Sequence, residues 1–340
     1  MRTVGAIAAA VLLGTVLTGP AAAAETPPAP ETLCTITDPR VDELSGLVSD
    51  GEQWYGINDG GERVEVFVLG RDCAVRKVLT EGTDPYDVED LARAPDGTLW
   101  LSDTGDNRAD RKTVALLALS PQGKVTLHRL TYPDGPHDAE ALLLDRSGTP
   151  YLITKDVLGD SKVYRPAAPL ASPGPTSLEK VGSLKFETTG TQGGPVGSFG
   201  SALVTGAAST VDGTVVALRT YTDAYLYAAP DGDVVAALRR PPVRIPLPGE
   251  KQGEALAFEP DGTLLSGGEG VGQPIRAVRG AAALAPRAAP TTPAAPADAT
   301  GGPGAEADGA GLPVLPTAGI VLVVALGGWF GVSKLRRRRR

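Results

Sequence analysis

Three glutamates recur in one local setting along the 340-residue chain. Glu89-Asp90-Leu91, Glu140-Ala141-Leu142 and Glu254-Ala255-Leu256 each begin a short apolar run. Asp87 and Asp138 lie two residues before the first two, on the same side of an extended chain. With Asn58 and Asp103, Glu89, Glu140 and Glu254 form an oxygen-rich donor set suited to a hard cation such as Ca²⁺. Carboxylates crowded together are costly unless neutralised. Two neutralisers are open: a divalent cation, or internal pairing with Lys155 and Arg219. His137, in Pro136-His137-Asp138-Ala139-Glu140, is a candidate general base, or a loop histidine bonded to Asp138. The other histidine, His128, falls in an outer strand and reads as structural.

The loop Asp103-Thr104-Gly105-Asp106-Asn107-Arg108 is the most distinctive. Its glycine and acidic spacings do not fit an EF-hand. Asp106 and Asn107 could bind a cation or close an Asx-turn. With Arg108, Lys155 and Arg219 they are the candidate ligand contacts. The chain has no nucleophile elbow, Walker loop or HExxH sequence.

These residues sit in a repeat. Each Glu-x-Leu phrase is followed by a turn: Asp96-Gly97, Ser147-Gly148 and Asp261-Gly262. Thr205-Gly206-Ala207 with Asp212-Gly213 is a fourth copy, and Ser45-Gly46-Leu47 with Asp50-Gly51 a shorter fifth. In the four full copies the glycine falls six residues after the Leu or Ala. Strand, Gly turn, strand is a β-hairpin, with glycine taking positive φ. The copies recur at roughly 45 to 60 residues, room for four strands each. No helix is expected in this region.

An all-β propeller follows, with five blades visible. Six is the alternative, because Pro169 to Ser198 is long and poorly patterned. The last copy shows three strands, and Leu33-Cys-Thr-Ile-Thr37 could supply the fourth and close the ring. First strands would then line a central channel and bring the glutamates to one mouth. Cys34 and Cys73 would lie on neighbouring blades, placed to form a disulfide or to remain two buried thiols.

Composition agrees with one folded ectodomain. Gly 43, Pro 30 and 5% aromatics favour turns and short strands. The net charge of −8 and pI near 5.0 exclude a nucleic-acid binder. Residues 1–24 read as a secretory signal, with cleavage after Ala24. Residues 31–280 form the propeller and 281–311 an Ala/Pro/Gly-rich spacer. Residues 312–333 are an apolar span and 334–340 a basic cytoplasmic tail, so the bulk faces outside the cell. Losing Arg2 and the six tail cations leaves 25 basic against 40 acidic residues, near −15. Leu315-Pro-Thr-Ala-Gly319 resembles a sortase cell-wall sorting signal, with Ala318 where that family has Thr. A transmembrane anchor and sortase transfer to the wall are both open.

The Glu-x-Leu strand, the Asp-Gly-x-Leu-Trp turn and the acidic loop after it resemble secreted propellers of the senescence-marker/gluconolactonase, strictosidine-synthase-like and NHL kind. They are also similar to phytase-related, esterase-like propellers of Gram-positive bacteria. The resemblance implies a divalent cation held in the channel, here by Glu89, Glu140, Glu254, Asn58 and Asp103. Two functions are expected as alternatives. One is binding of an extracellular ligand or wall component at the mouth. The other is metal-dependent hydrolysis of lactones, esters or phosphate esters.

Overall fold

A computed structural model of the chain describes residues 27–286. The expected signal, the membrane span, the sorting motif, the basic tail and most of the spacer lie outside them. Among the described residues no helix is long and apolar enough to cross a membrane.

The described chain is all-β. β1 (Glu31–Thr35) precedes a unit of β2 (Leu44–Ser49), β3 (Trp54–Asn58), β4 (Val64–Leu69) and β5 (Val75–Glu81). A second unit holds β6 (Val88–Arg93), β7 (Leu99–Asp103), β8 (Val114–Leu119) and β9 (Val125–Thr131). A third holds β10 (Ala139–Leu144), β11 (Pro150–Thr154), β12 (Asp160–Pro166) and β13 (Thr176–Lys185). Next come β14 (Val204–Ser209), β15 (Val215–Thr220), β16 (Asp223–Ala228) and β17 (Val243–Pro246). The last strands are β18 (Gly253–Phe258), β19 (Leu264–Gly268) and β20 (Pro274–Val278). Within each unit the strands pair antiparallel in chain order. β1 completes the last sheet by pairing antiparallel with β20. The second and third units also join edge to edge, where β13 pairs parallel with β9.

The order of the sheets is written in the packing. Val114 and Leu116 of β8 pack against the third unit, while Leu117 and Leu119 pack against the first. That period-2 split explains why all of β8 is apolar: both sheet faces are covered. Further apolar layers lie between the third and fourth sheets, the fourth and fifth, and the fifth and first. Each sheet therefore has two neighbours and the last packs on the first, an arrangement consistent with a β-propeller. The repeat glycines Gly97, Gly148, Gly213 and Gly262 all have positive φ, between 64° and 86°, as their hairpin turns require. Pro169–Ser198 supplies β13 and the loop after it rather than further strands. A 3-10 turn at Gly197–Ala202 and one α-helical turn, α1 (Val234–Leu238), depart from the expected absence of helix; Asp233 caps α1 by accepting the Ala236 amide.

Cys34 and Cys73 form a disulfide with their Cα atoms 5.7 Å apart, tying β1 to the first unit beside the layer that joins first and last sheets.

Candidate functional site

In each unit the pairing of first and second strands shifts register near its start: at Leu44/Gly46, Val88/Asp90, Ala139/Ala141, Val204/Gly206 and Gly253/Leu256. A bulge re-aims the side chain at its irregular position. Ser45, Glu89, Glu140, Thr205 and Glu254 occupy these positions. Ser45 donates to the Glu89 carbonyl, and Thr205 Oγ1 donates to the Gly253 carbonyl at 2.9 Å. Two bulge side chains thus stitch neighbouring units, and the other three are the repeat glutamates.

The glutamates meet other carboxylates at one end of the first strands. Oxygens of Glu89, Asp138 and Glu140 lie within 4.8 Å of one another, as do oxygens of Asp59, Asp87 and Glu89. Glu89 belongs to both groups. Gly105 makes this close approach feasible: a Cβ there would overlap Glu89 Oε1 and sit 2.6 Å from Asp87 Oδ2. The Gly105 amide donates to the Asp87 carbonyl at 3.1 Å.

One lysine enters this crowd. Lys155 Nζ lies 2.9 Å from Glu140 Oε1 and 5.2 Å from the centre of the Tyr221 ring. Burial disfavours its charge, yet Glu140, Tyr221, Glu254 and Asp138 together hold its pKa well above the usual lysine value. Burial, reinforced by Glu140, pushes Asp138 up from 3.8 to about 7. Burial, then Glu269 and Glu140, raise Glu254 well above the ordinary carboxylate range. Glu269 is raised by the same burial and shares a hydrogen bond with Glu254.

The loop after β7 is folded by its own side chains. Asp106 Oδ1 accepts the Asp110 amide at 3.0 Å, and its Oδ2 the Arg111 amide at 2.9 Å. The Asp106 amide donates to Asp138 Oδ1 at 2.6 Å. Asp103 Oδ1 accepts the Asp87 amide at 2.8 Å and Arg111 Nη2 at 3.0 Å. The Asp106 and Asp103 carboxylates therefore build the loop. Asn107 and Arg108 are exposed and line a pocket of about 460 Å³ beside the mouth.

Asn58 lines the same pocket. Its Nδ2 donates to the Arg40 carbonyl at 2.7 Å and to Asp42 Oδ1 at 3.2 Å, which holds the segment before β2. Of the five expected cation ligands, Glu89 and Glu140 stand in the close oxygen groups. Among the carboxylates, Asp103 and Glu254 do not, and Asp59, Asp87 and Asp138 do. The donor set is all oxygen, which fits a hard cation.

Arg219 does not reach the mouth. Its side chain is fully buried, donating to Glu250 Oε2 at 2.7 Å and to the carbonyls of Ala255, Gly267, Thr220 and Tyr221. Lys155 is therefore the cation paired with Glu140, while Arg219 is paired with Glu250. His137 bonds Asp134 rather than Asp138: its Nε2 lies 2.9 Å from Asp134 Oδ1 and 3.3 Å from Lys162 Nζ. Its ring stacks on Tyr164 with centroids 5.4 Å apart. His128 stacks on Trp100 and bonds the Ala171 carbonyl at 2.9 Å.

Three residues central to this geometry carry no repeat signal: Arg111, Glu250 and Asp90. Arg111 lies beyond the motif that marked its loop, and Glu250 just before the repeat phrase it serves. Asp90 is in the phrase itself, but the amides its Oδ2 accepts, from Leu142 and Ala207, are in other units.

No family model matches the chain, and no curated protein matches it. Among solved structures it is similar to the apo soluble aldose sugar dehydrogenase from Escherichia coli, at 12% identity and TM-score 0.41, covering 73% of this chain and 98% of that one. It is similar to a putative gluconolactonase at 13% identity and TM-score 0.39, covering 74% and 91%. It is also similar to the nidogen/laminin complex at 14% identity and TM-score 0.39, covering 67% and 73%. Such values carry no argument about activity.

Proposed function

We propose that the chain is a five-bladed propeller, displayed outside the cell by its C-terminal anchor, that binds a ligand or partner at an acidic mouth. A divalent cation such as Ca²⁺ held among the carboxylates completes the proposed site. The observation that carries this reading is the two oxygen groups sharing Glu89, each within 4.8 Å, with Lys155 as the lysine paired to Glu140 among them. Lys155 offsets charge at Glu140, and a bound cation would add to that offset across the two groups. The five apolar layers, each between two sheets, support the blade count. The apolar span and basic tail support the anchor.

Thermal unfolding of the chelator-treated protein during a Ca²⁺ titration tests the reading. A cation that binds only the folded state raises the midpoint. The expected result is a rise with Ca²⁺ that Glu89→Gln abolishes. No response to Ca²⁺, Mg²⁺ or Mn²⁺ would overturn it.

One observation favours a hydrolase as the second reading. Asp138, at about 7, is in the range where a carboxyl can take and return a proton at neutral pH. A cation at Glu89 would polarise a carbonyl or phosphoryl oxygen. His137 is less suited to act as the base, since its Nε2 faces Asp134 and Lys162. Turnover of a lactone, p-nitrophenyl ester or p-nitrophenyl phosphate that is lost in Asp138→Asn would select this reading.

A further inference from the structure

We infer that the loops around the mouth form a docking surface for a basic amphipathic polypeptide segment of another protein; the inference rests on the ligand-binding reading of the mouth. Among the described residues seven large apolar side chains are exposed, and five of them stand at the mouth end of the sheets. Tyr86 lies just before β6, and Phe199 lies in the 3-10 turn that leads into β14. Val157 and Leu158 follow β11, whose last residue, Thr154, pairs with Ala139 at the start of β10. Val271 follows β19, whose last residue, Gly268, pairs with Gly253 at the start of β18. The other two lie elsewhere: Leu33 is on β1, and Val211 is in the hairpin turn at the opposite end of β14.

Apolar residues scattered singly over a surface need no explanation, but their concentration on one face marks an interaction site. The densest part spans the third and fourth units, where Val157, Leu158 and Phe199 are 58%, 72% and 54% exposed. Their two loops touch: a Cβ on Gly159 would lie 3.4 Å from the Cβ of Ala202, which shares a turn with Phe199. Lys155, in the same loop as Val157, is the lysine paired to Glu140. The apolar patch therefore borders the carboxylates of the mouth.

Charge and chain direction select the occupant. Asp59, Asp87, Glu89, Asp138 and Glu140 gather at the mouth. A second copy would bring the same negative charge to the same surface, and an anionic lipid headgroup would be repelled. The described chain also ends away from the mouth. After β20 it folds into the turn Ala281–Leu284, where the Ala282 amide donates to the Gly262 carbonyl at 3.0 Å, in the β18–β19 hairpin turn. With the proposed anchor following from there, the mouth faces away from the cell's own membrane. A partner arriving from outside must cover apolar side chains at the periphery and bring positive charge to the centre. A segment that combines basic with large apolar residues does both.

The test is calorimetric titration of the full chain at low salt with acetyl-Lys-Leu-Phe-Lys-Leu-Lys-amide. Two controls separate its chemistries: the same peptide with every Lys replaced by Glu, and with every Leu and Phe replaced by Ser. The basic amphipathic peptide should saturate, and each control should bind at least ten-fold more weakly. Val157→Ser, Leu158→Ser and Phe199→Ser combined should weaken the peptide at least five-fold, with far-UV circular dichroism and the Ca²⁺ response unchanged. Val211→Ser, on the opposite face, should leave its affinity as in wild type. Equal affinity for the Ser control would reduce the binding to bare charge, and equal affinity of the combined variant would place the contact elsewhere; either overturns the inference. Absence of saturation by the amphipathic peptide overturns it too. Self-association in sedimentation velocity that the combined variant abolishes overturns it in favour of a second copy. If the Ca²⁺ response survives any such result, the mouth reading stands without the inference; if that response is also absent, both fall.

Discussion

Asp90 Oδ2 accepts the Ala207 amide at 3.1 Å, joining residues 117 positions apart in the chain. The same oxygen accepts the Leu142 amide at 2.8 Å, and Oδ1 accepts the amide of Leu91 at 2.7 Å. A single fully buried carboxyl on β6 therefore ties together the first strands of three units, two of which are not neighbours. Burial raises its pKa well above the ordinary range, against the pull of the three amides.

Removing that carboxyl should be expensive. Asp90→Ala leaves buried amides without an acceptor, at about 1–3 kcal/mol each. Urea denaturation should show a loss of at least about 3 kcal/mol. Asp90→Asn keeps one acceptor oxygen and should cost less. A change in Asp90→Ala below about 0.5 kcal/mol, the scale of an ordinary surface substitution, would show that the three bonds are not held in solution.

Gly105 controls the acidic centre by having no side chain. A Cβ at this position overlaps Glu89 Oε1 and crowds Asp87, so Gly105→Ala must displace both carboxylates. The backbone hydrogen bond from the Gly105 amide to Asp87 survives the change. The expected phenotype is a folded protein, by far-UV circular dichroism, whose Ca²⁺-dependent rise in unfolding midpoint is gone. Retention of the full rise would place the cation elsewhere.

The repeat spacing made the hairpins, the closing strand and the meeting of Glu89 with Glu140 legible, because Gly turns and inner-strand positions follow local periodicity. What stayed hidden follows from contacts that periodicity does not encode. Arg219 occupies a repeat position that faces the mouth in other units, but Glu250 and four carbonyls hold it inside. Asn58 and Asp103 were legible as polar residues near the mouth, yet their side chains are spent on Arg40 and Arg111. The His137–Asp134 bond was missed because the adjacent Asp138 is the closer residue in sequence, while the loop turns His137 back onto β12.

Asp138 should leave a signature in the pH dependence of stability. Its folded-state pKa of about 7 lies above its ordinary 3.8, so the native state keeps a proton that the unfolded chain has released between those values. Its contribution is therefore fully present below about pH 4 and is lost as pH rises toward 7. In chelator, Asp138→Asn should flatten the fall in unfolding midpoint across that window. Identical slopes for wild type and variant would mean that Asp138 is not protonated in the folded state there.

Lys155 should matter most when no cation is bound. It is the lysine paired to Glu140, so Lys155→Met leaves buried carboxylates uncompensated, an effect of about 3–5 kcal/mol for a broken buried pair. A divalent cation can take over part of that neutralisation. In chelator the variant should unfold well below wild type, and saturating Ca²⁺ should narrow the gap. A gap unchanged by Ca²⁺ would mean that cation and lysine do not share the same carboxylates.

The disulfide closes the ring covalently where β1 meets the first unit. Cys34 and Cys73 are 39 residues apart, a loop whose closure is worth about 4 kcal/mol by the chain-entropy relation. Replacing both by alanine should lower stability by about 2–4 kcal/mol in urea. β1 is mostly exposed and is held to the last sheet through its pairing with β20. Loss of the bridge should therefore show first as faster amide exchange in β1 and β20, ahead of the inner strands. Uniform acceleration across all sheets would show instead that the bridge stabilises the fold as one cooperative unit and that β1 does not open locally.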